Sequence, residues 1–153
     1  MSKILIVDDE DHIRADLARR LQKMSHQVVT ADTVEKALQS IQKGELEYAL
    51  IDLKLDYPSE FGGIKVFNYI LKNKPHIKPI VLSSYPFQDV KEQLKKEVKN
   101  EKEPDIILKK IEEDYLYKGS VRNYILAVLD KLEELEQKKL TGRNKYEKST
   151  HRR

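Results

Sequence analysis

The residues of this chain best placed to do chemistry are carboxylates. Asp8, Asp9, Glu10 and Asp11 follow Ile4, Leu5, Ile6 and Val7 without a break, and Asp52 ends the apolar run YALI. Adjacent carboxylates repel, and the cost rises as the local dielectric falls. The acidic run is therefore either a solvated turn behind a buried strand or a place for something positive. Helix capping and the helix dipole account for one or two of these acids, but not for Asp52 if the fold brings it alongside. Magnesium prefers all-oxygen sites, binding through a few carboxylates while keeping several waters. Asp8, Asp9 and Asp52 are accordingly the candidate magnesium ligands. Ser83 and Ser84 close a further apolar run, PIVL, and Lys109 and Lys118 each end a strand-like run later in the chain. Carboxylates, a hydroxyl and an ammonium at one place would form a pocket for a phosphoryl group, with the metal and lysine balancing its charge. Cysteine is absent, so there is no thiolate ligand or nucleophile. The histidines, His12, His26, His76 and His151, have no metal or nucleophile spacing and read as structural or surface residues.

Those residues can meet only if the elements before them are parallel strands. KILIV, YALIDL and PIVLSS are short, continuous apolar runs, and QVVTA is a further strand. Between them, Ile13, Leu17, Leu21 and Met24 recur at helical spacing. Val34, Ala37, Leu38 and Ile41 do the same behind a capping box at Asp32–Glu35. A loop containing Pro58, Gly62 and Gly63 leads into a third helix carrying Ile64, Val66, Phe67, Ile70 and Leu71. Alternating strands and helices predict an α/β fold with a doubly wound parallel sheet. In such sheets ligands bind beyond the carboxyl ends of the strands, which places Asp8, Asp9, Asp52, Ser83 and Ser84 at one edge. A charged helix follows over 87–103, and an amphipathic helix from Ser120 carries Val121, Ile125, Val128, Leu132 and Leu135.

These elements, in this order, resemble the receiver domain of two-component response regulators. The likeness runs from Lys3 to about Gln137 and rests on ILIVDDED, ALIDLKL, the Gly62–Gly63 turn, IVLSSY, and DYLYKGS followed by a helix. The resemblance implies a flavodoxin-like sheet of five strands in the order 2-1-3-4-5. It implies that Asp52 is the phosphoacceptor, and that Asp8, Asp9, Asp52 and the backbone carbonyl of Lys54 hold magnesium. Ser83 and a lysine would grip the phosphoryl group, with Tyr115 as the aromatic that moves with the switch. Lys118 is the preferred lysine because the last helix begins directly after it; Lys109 is the alternative. Choosing Lys118 predicts an additional helix near 104–113, with Pro104 in its first turn. Gly119 stands where the family often has proline, and DLKLDYPSEFGG is longer than usual between acceptor and glycine.

The implied function is a phosphoacceptor in a two-component phosphorelay, loaded by a sensor histidine kinase or phosphotransfer protein. Its output would pass to a protein partner or a homodimer. It would be no enzyme beyond assisting its own phosphorylation and dephosphorylation. Alternatives are a phosphate-independent adaptor and a magnesium-dependent aspartyl phosphohydrolase. The latter usually needs an acid two residues past the nucleophile, where this chain has Lys54. Neither a signal pattern nor a membrane-length apolar run occurs, which predicts a cytoplasmic protein without membrane association. The net charge of +3 is uneven: seven basic residues and Glu147 give the segment 138–153 a charge of +6, leaving −3 for the rest. The expected organisation is a receiver domain over 1–137 and a basic, unstructured tail over 138–153, too short for an output domain and able to touch nucleic acid only weakly.

Overall fold

The computed structural model describes residues 2–55, 61–117, 119 and 121–151. Five strands form one parallel sheet in the order β2-β1-β3-β4-β5. They are β1 (Lys3–Val7), β2 (Gln27–Ala31), β3 (Tyr48–Asp52), β4 (Lys78–Ser83) and β5 (Tyr115–Tyr117). The helices are α1 (Asp11–Lys23), α2 (Val34–Lys43), α3 (Gly62–Asn73), α4 (Phe87–Val98), α5 (Pro104–Glu113) and α6 (Val121–His151). The expected flavodoxin-like fold and strand order are both present.

Strand alternation divides the core in two. Leu5, Val7, Ala49, Ile51 and Val81 point to the side covered by α2, α3, α4 and α5. Ile4, Ile6, Tyr48, Leu50, Ile80 and Leu82 point to the side covered by α1 and α6. The central strands are thus buried on both faces, which is why their sequences are apolar throughout. Ile13, Leu17 and Leu21 form the inner stripe of α1, and Ile125, Val128 and Leu132 that of α6. Full burial of a Leu such as Leu17 is worth about 1.5–3 kcal/mol relative to exposure.

The ends of several elements differ from the sequence reading. The capping box was expected to open at Asp32, but Thr33 is the N-cap of α2, its hydroxyl accepting from the Lys36 N–H at 3.1 Å. Asp32 pairs with the Lys36 ammonium at 3.0 Å instead, which holds its carboxyl below the ordinary value. The additional helix stands where expected, as α5, with Pro104 in its first turn and Glu103 before it in the left-handed region at φ 57°. Residues 56–60, including Pro58, lie outside the described residues.

The larger difference concerns the basic segment. The last helix was expected to finish at Gln137 with an unstructured end beyond it, yet α6 continues through His151. The physical reason is visible in its composition and contacts. The segment is rich in Lys and Arg, both good helix formers, and contains no proline. Glu134 and Lys138 form an i,i+4 pair at 3.1 Å. Lys139 pairs with Glu47 and lies 5.4 Å from the centre of the Tyr48 ring. Ser2 adds a hydrogen bond to Glu136 at 2.5 Å. The Lys139 ammonium draws the Glu47 carboxyl below its usual range, while burial, reinforced by Glu136, pushes the Tyr48 phenol up to about 12. No helix among the described residues is long and apolar enough to cross a membrane.

Candidate functional site

Register brings the site together. Val7 at the end of β1 pairs with Ile51, so Asp8 comes level with Asp52. Asp52 pairs in turn with Leu82, so Ser83 lies one step beyond it on β4, opposite Tyr117 of β5. Residues separated by 31 positions or more in sequence thus meet because each closes a parallel strand. Asp9, Glu10, Asp52, Lys54, Ser83 and Ser84 line a single cavity of about 290 Å³ at this edge. Asp8 is fully buried beside it, Asp52 is 6% exposed and Ser83 is 2% exposed. Asp9 and Glu10 are exposed.

Local contacts fix this arrangement. Asp8 accepts from the Glu10 N–H through Oδ1 at 2.9 Å, and its own N–H donates to Ala31. Arg14, one turn into α1, donates to the Asp8 carbonyl at 2.7 Å and to the Asp11 carboxylate at 2.6 Å. Asp11 is therefore a first-turn acid tied to Arg14 on its own helix rather than a wall of the cavity. On the opposite side, α3 presses against the loop after β3. A Cβ on Gly63 would stand 2.2 Å from the Asp52 carbonyl oxygen, and one on Gly62 would stand 2.3 Å from that of Leu55. Only glycine allows that approach, and it fixes the backbone of Asp52.

The donor set suits a hard cation. Carboxylate oxygens of Asp8, Asp9 and Glu10 lie within 4.8 Å of one another, comparable to the ~4.2 Å that separates opposite ligands around magnesium. Glu10 belongs to this cluster although the sequence reading left it out of the ligand set; its place in the acidic run was the available signal. The Lys54 side chain turns aside, its ammonium 4.3 Å from the centre of the Tyr85 ring.

Ser83 and the aromatics are connected. The Ser83 hydroxyl oxygen accepts from the Tyr85 N–H at 3.1 Å, and the Tyr115 hydroxyl donates to the Tyr85 carbonyl at 2.5 Å. The Tyr115 ring packs edge-on against Phe87 at 5.3 Å. Burial pushes the Tyr115 phenol above its ordinary value, opposed in part by its hydrogen bond with Ser83. Of the two lysines, Lys109 is exposed on α5, while Lys118, directly after β5, lies outside the described residues.

An acidic edge on a 2-1-3-4-5 sheet, with a hydroxyl beside it, defines a class. The chain belongs to the response regulator receiver domain family, whose sequence profile it matches over residues 4–119. It is the receiver domain of a two-component response regulator. Over 82 residues it is 30% identical to the photosynthetic apparatus regulatory protein RegA of Rhodobacter capsulatus, covering 54% of this chain and 43% of that protein. The chain thus spans less than half the length of that relative. Among solved structures it is similar to the response regulator TrrA of Thermotoga maritima in complex with Mg(2+)-BeF. That match has a TM-score of 0.61 at 24% identity, over 86% of this chain and 99% of that one. A CheY-like receiver protein of Methanospirillum hungatei gives 0.62 at 24%, over 90% and 98%. A chain from the complex of histidine kinase ThkA with TrrA gives 0.61 at 25%, over 90% and 97%.

Proposed function

We propose that this receiver is a phosphoacceptor, loaded on Asp52 in the presence of magnesium by a histidine kinase or phosphotransfer protein, and that it signals through a partner-binding surface. The observation that carries this reading is the convergence of Asp9, Asp52 and Ser83 on one cavity, with Asp8 buried beside it. Asp8, Asp9, Asp52 and the Lys54 carbonyl would hold the ion, with Glu10 close enough to act through water. A divalent ion there supplies the positive charge that offsets repulsion between a carboxylate and an anionic phosphoryl group. The chain's own residues do the remainder. An Asp52 carboxylate oxygen forms the new O–P bond as the donor's P–N bond breaks, and the electron pair leaves with the imidazole nitrogen. The Ser83 hydroxyl, whose oxygen accepts from the Tyr85 N–H, would turn to donate its O–H to a phosphoryl oxygen. Lys118 is the cation proposed to pair with that group, by charge-assisted hydrogen bonds worth about 1.5–3 kcal/mol each.

Such a rearrangement has a route outward. The Tyr85 backbone is held by both Ser83 and Tyr115, so drawing Ser83 inward bears on the Tyr115 hydroxyl and the β5 edge. The output is a protein partner or a second receiver. The phosphohydrolase alternative has less support, since Lys54 occupies the position its acid would need and is engaged with Tyr85. The test is acetyl phosphate with magnesium, read by intact mass. One phosphoryl group should be added to the wild type and none to Asp52→Asn. Undiminished labelling of that variant would move the acceptor elsewhere.

A further inference from the structure

The charge along α6 is divided into two blocks. Asp130, Glu133, Glu134 and Glu136, against Lys131 alone, give residues 130–136 a net charge of −3. Lys138, Lys139, Arg143 and Lys145, with no acid among them, give 138–145 a charge of +4. Both blocks lie on one continuous helix, whose earlier part packs on the sheet through Ile125, Val128 and Leu132. Asp130 and Glu133 are exposed. Glu134 and Lys138 pair with each other at 3.1 Å but leave 52% and 69% of their side chains exposed. A pair so exposed holds weakly and is readily exchanged for another.

Apolar surface accompanies the charge. Leu126 is 50% exposed and Leu140 is 52% exposed. With Glu133 between them they recur every seven residues, which sets all three along one side of the helix. Past Lys139, the Thr141 hydroxyl donates back to the Gln137 carbonyl at 3.0 Å, and nothing lies within 4 Å of a Cβ built on Gly142. In proteins a helix is held chiefly by the packing of one face, and Leu140 is an apolar side chain that the monomer leaves half uncovered. The order of the blocks selects what covers it. A nucleic acid would be drawn to 138–145 but repelled by 130–136 on the same rod. A second copy laid parallel would set acid on acid and base on base. A second copy laid antiparallel and crossing near Gln137 sets 138–145 of each chain along 129–136 of the other. Both blocks are then matched twice, and each Leu140 is covered.

We propose that α6 pairs antiparallel with α6 of a second copy of this chain, the acidic block of each lying against the basic block of the other. The contact uses no group at the acidic edge and forms without phosphate, so it stands apart from the acceptor reading. Sedimentation equilibrium of the unphosphorylated chain should show monomer and dimer, with a Kd that rises at least about tenfold between roughly 0.05 and 0.5 M NaCl as the charges are screened. Leu140→Glu should weaken the dimer. Glu133→Lys with Glu134→Lys, or Lys138→Glu with Arg143→Glu, should each abolish it, and mixing the two double variants should restore it. Orientation is read from disulfides, since the chain has no cysteine of its own. Asp130→Cys and Asn144→Cys proteins, mixed and oxidised, should cross-link to each other rather than to themselves. That readout keeps both charge blocks nearly whole and decides the matter should the double variants lose their helix. A chain that stays monomeric at low salt, a dimer indifferent to salt and to both double variants, or disulfides joining like to like would overturn the proposal. So would a monomer that binds duplex DNA of random sequence through 138–145, which would assign the basic block to nucleic acid.

Discussion

Replacing Gly63 by alanine isolates the contact that fixes the Asp52 backbone. The added Cβ would meet the Asp52 carbonyl oxygen at 2.2 Å and the Leu53 Cα at 3.0 Å, where ordinary contact begins at 3.4 Å. The obstacle is backbone on both counts, so relief requires α3 or the loop after β3 to move by more than 1 Å, the difference between 3.4 and 2.2 Å. Overpacking of this kind costs about 1–3 kcal/mol, while alanine's advantage over glycine within a helix returns at most ~1 kcal/mol. Equilibrium urea unfolding should therefore show a net loss of about 1–2 kcal/mol. Because the displaced atom belongs to Asp52, acetyl phosphate labelling should slow in parallel. Gly142→Ala is the control: it lies in α6 with nothing within 4 Å of the added carbon, so helicity should rise with labelling unchanged. Unaltered stability and labelling in Gly63→Ala would refute the argument that close approach at this glycine sets the acceptor's position.

Asp9→Ala should weaken magnesium binding, measured by fluorescence or calorimetric titration, far more than Asp11→Ala, since Asp11 is held by Arg14 outside the cavity; equal losses would mean the acidic run acts through bulk charge. Lys118→Ala should leave magnesium binding intact and permit labelling, but abolish the change in Tyr115 fluorescence or chemical shift on phosphorylation, while Lys109→Ala should alter none of these. The Glu47–Lys139 pair should contribute about 0.2–1 kcal/mol at neutral pH, as expected of a partly exposed ion pair. Its sign follows from the lowered Glu47 carboxyl: the stabilisation is present above the ordinary value of 4.5 and fades as pH falls through the folded value. Wild type and Lys139→Met should therefore converge in acid urea titrations, and a gap that widens below pH 4.5 would contradict the assignment.

The site was legible to the extent that strands announce themselves. Ile4–Val7 and Tyr48–Ile51 are apolar because both faces are covered, and parallel order alone then sets Asp8 beside Asp52. The choice of α5 over a strand for PDIILKKIEE was also readable, through Pro104 and the helix-spaced Ile107, Leu108 and Ile111 that it buries. Other features leave little trace in sequence. Thr33 and Asp32 are both good caps, and only backbone geometry separates them. The extension of α6 past Gln137 lacks the apolar stripe by which helices are found, and is anchored instead by the polar contact of Lys139 with Glu47.

The length of α6 has a mechanical consequence. Its 31 residues make a rod of about 46 Å. Gly119, at φ 59°, sits just ahead of it as a swivel close to the Ser83–Tyr117 edge. Ile125, Val128 and Leu132 form a bearing on the sheet, and Lys139 is the last clamp among the described side chains. Beyond Lys139 the helix runs roughly 18 Å further along the same axis. In such a linkage displacement grows with distance from the bearing, so a tilt of about 5° too small to disturb the core moves the far end by about 2–4 Å. Were a sub-ångström event at the Ser83–Tyr117 edge to tilt this helix, the travel would be greatest at the opposite end.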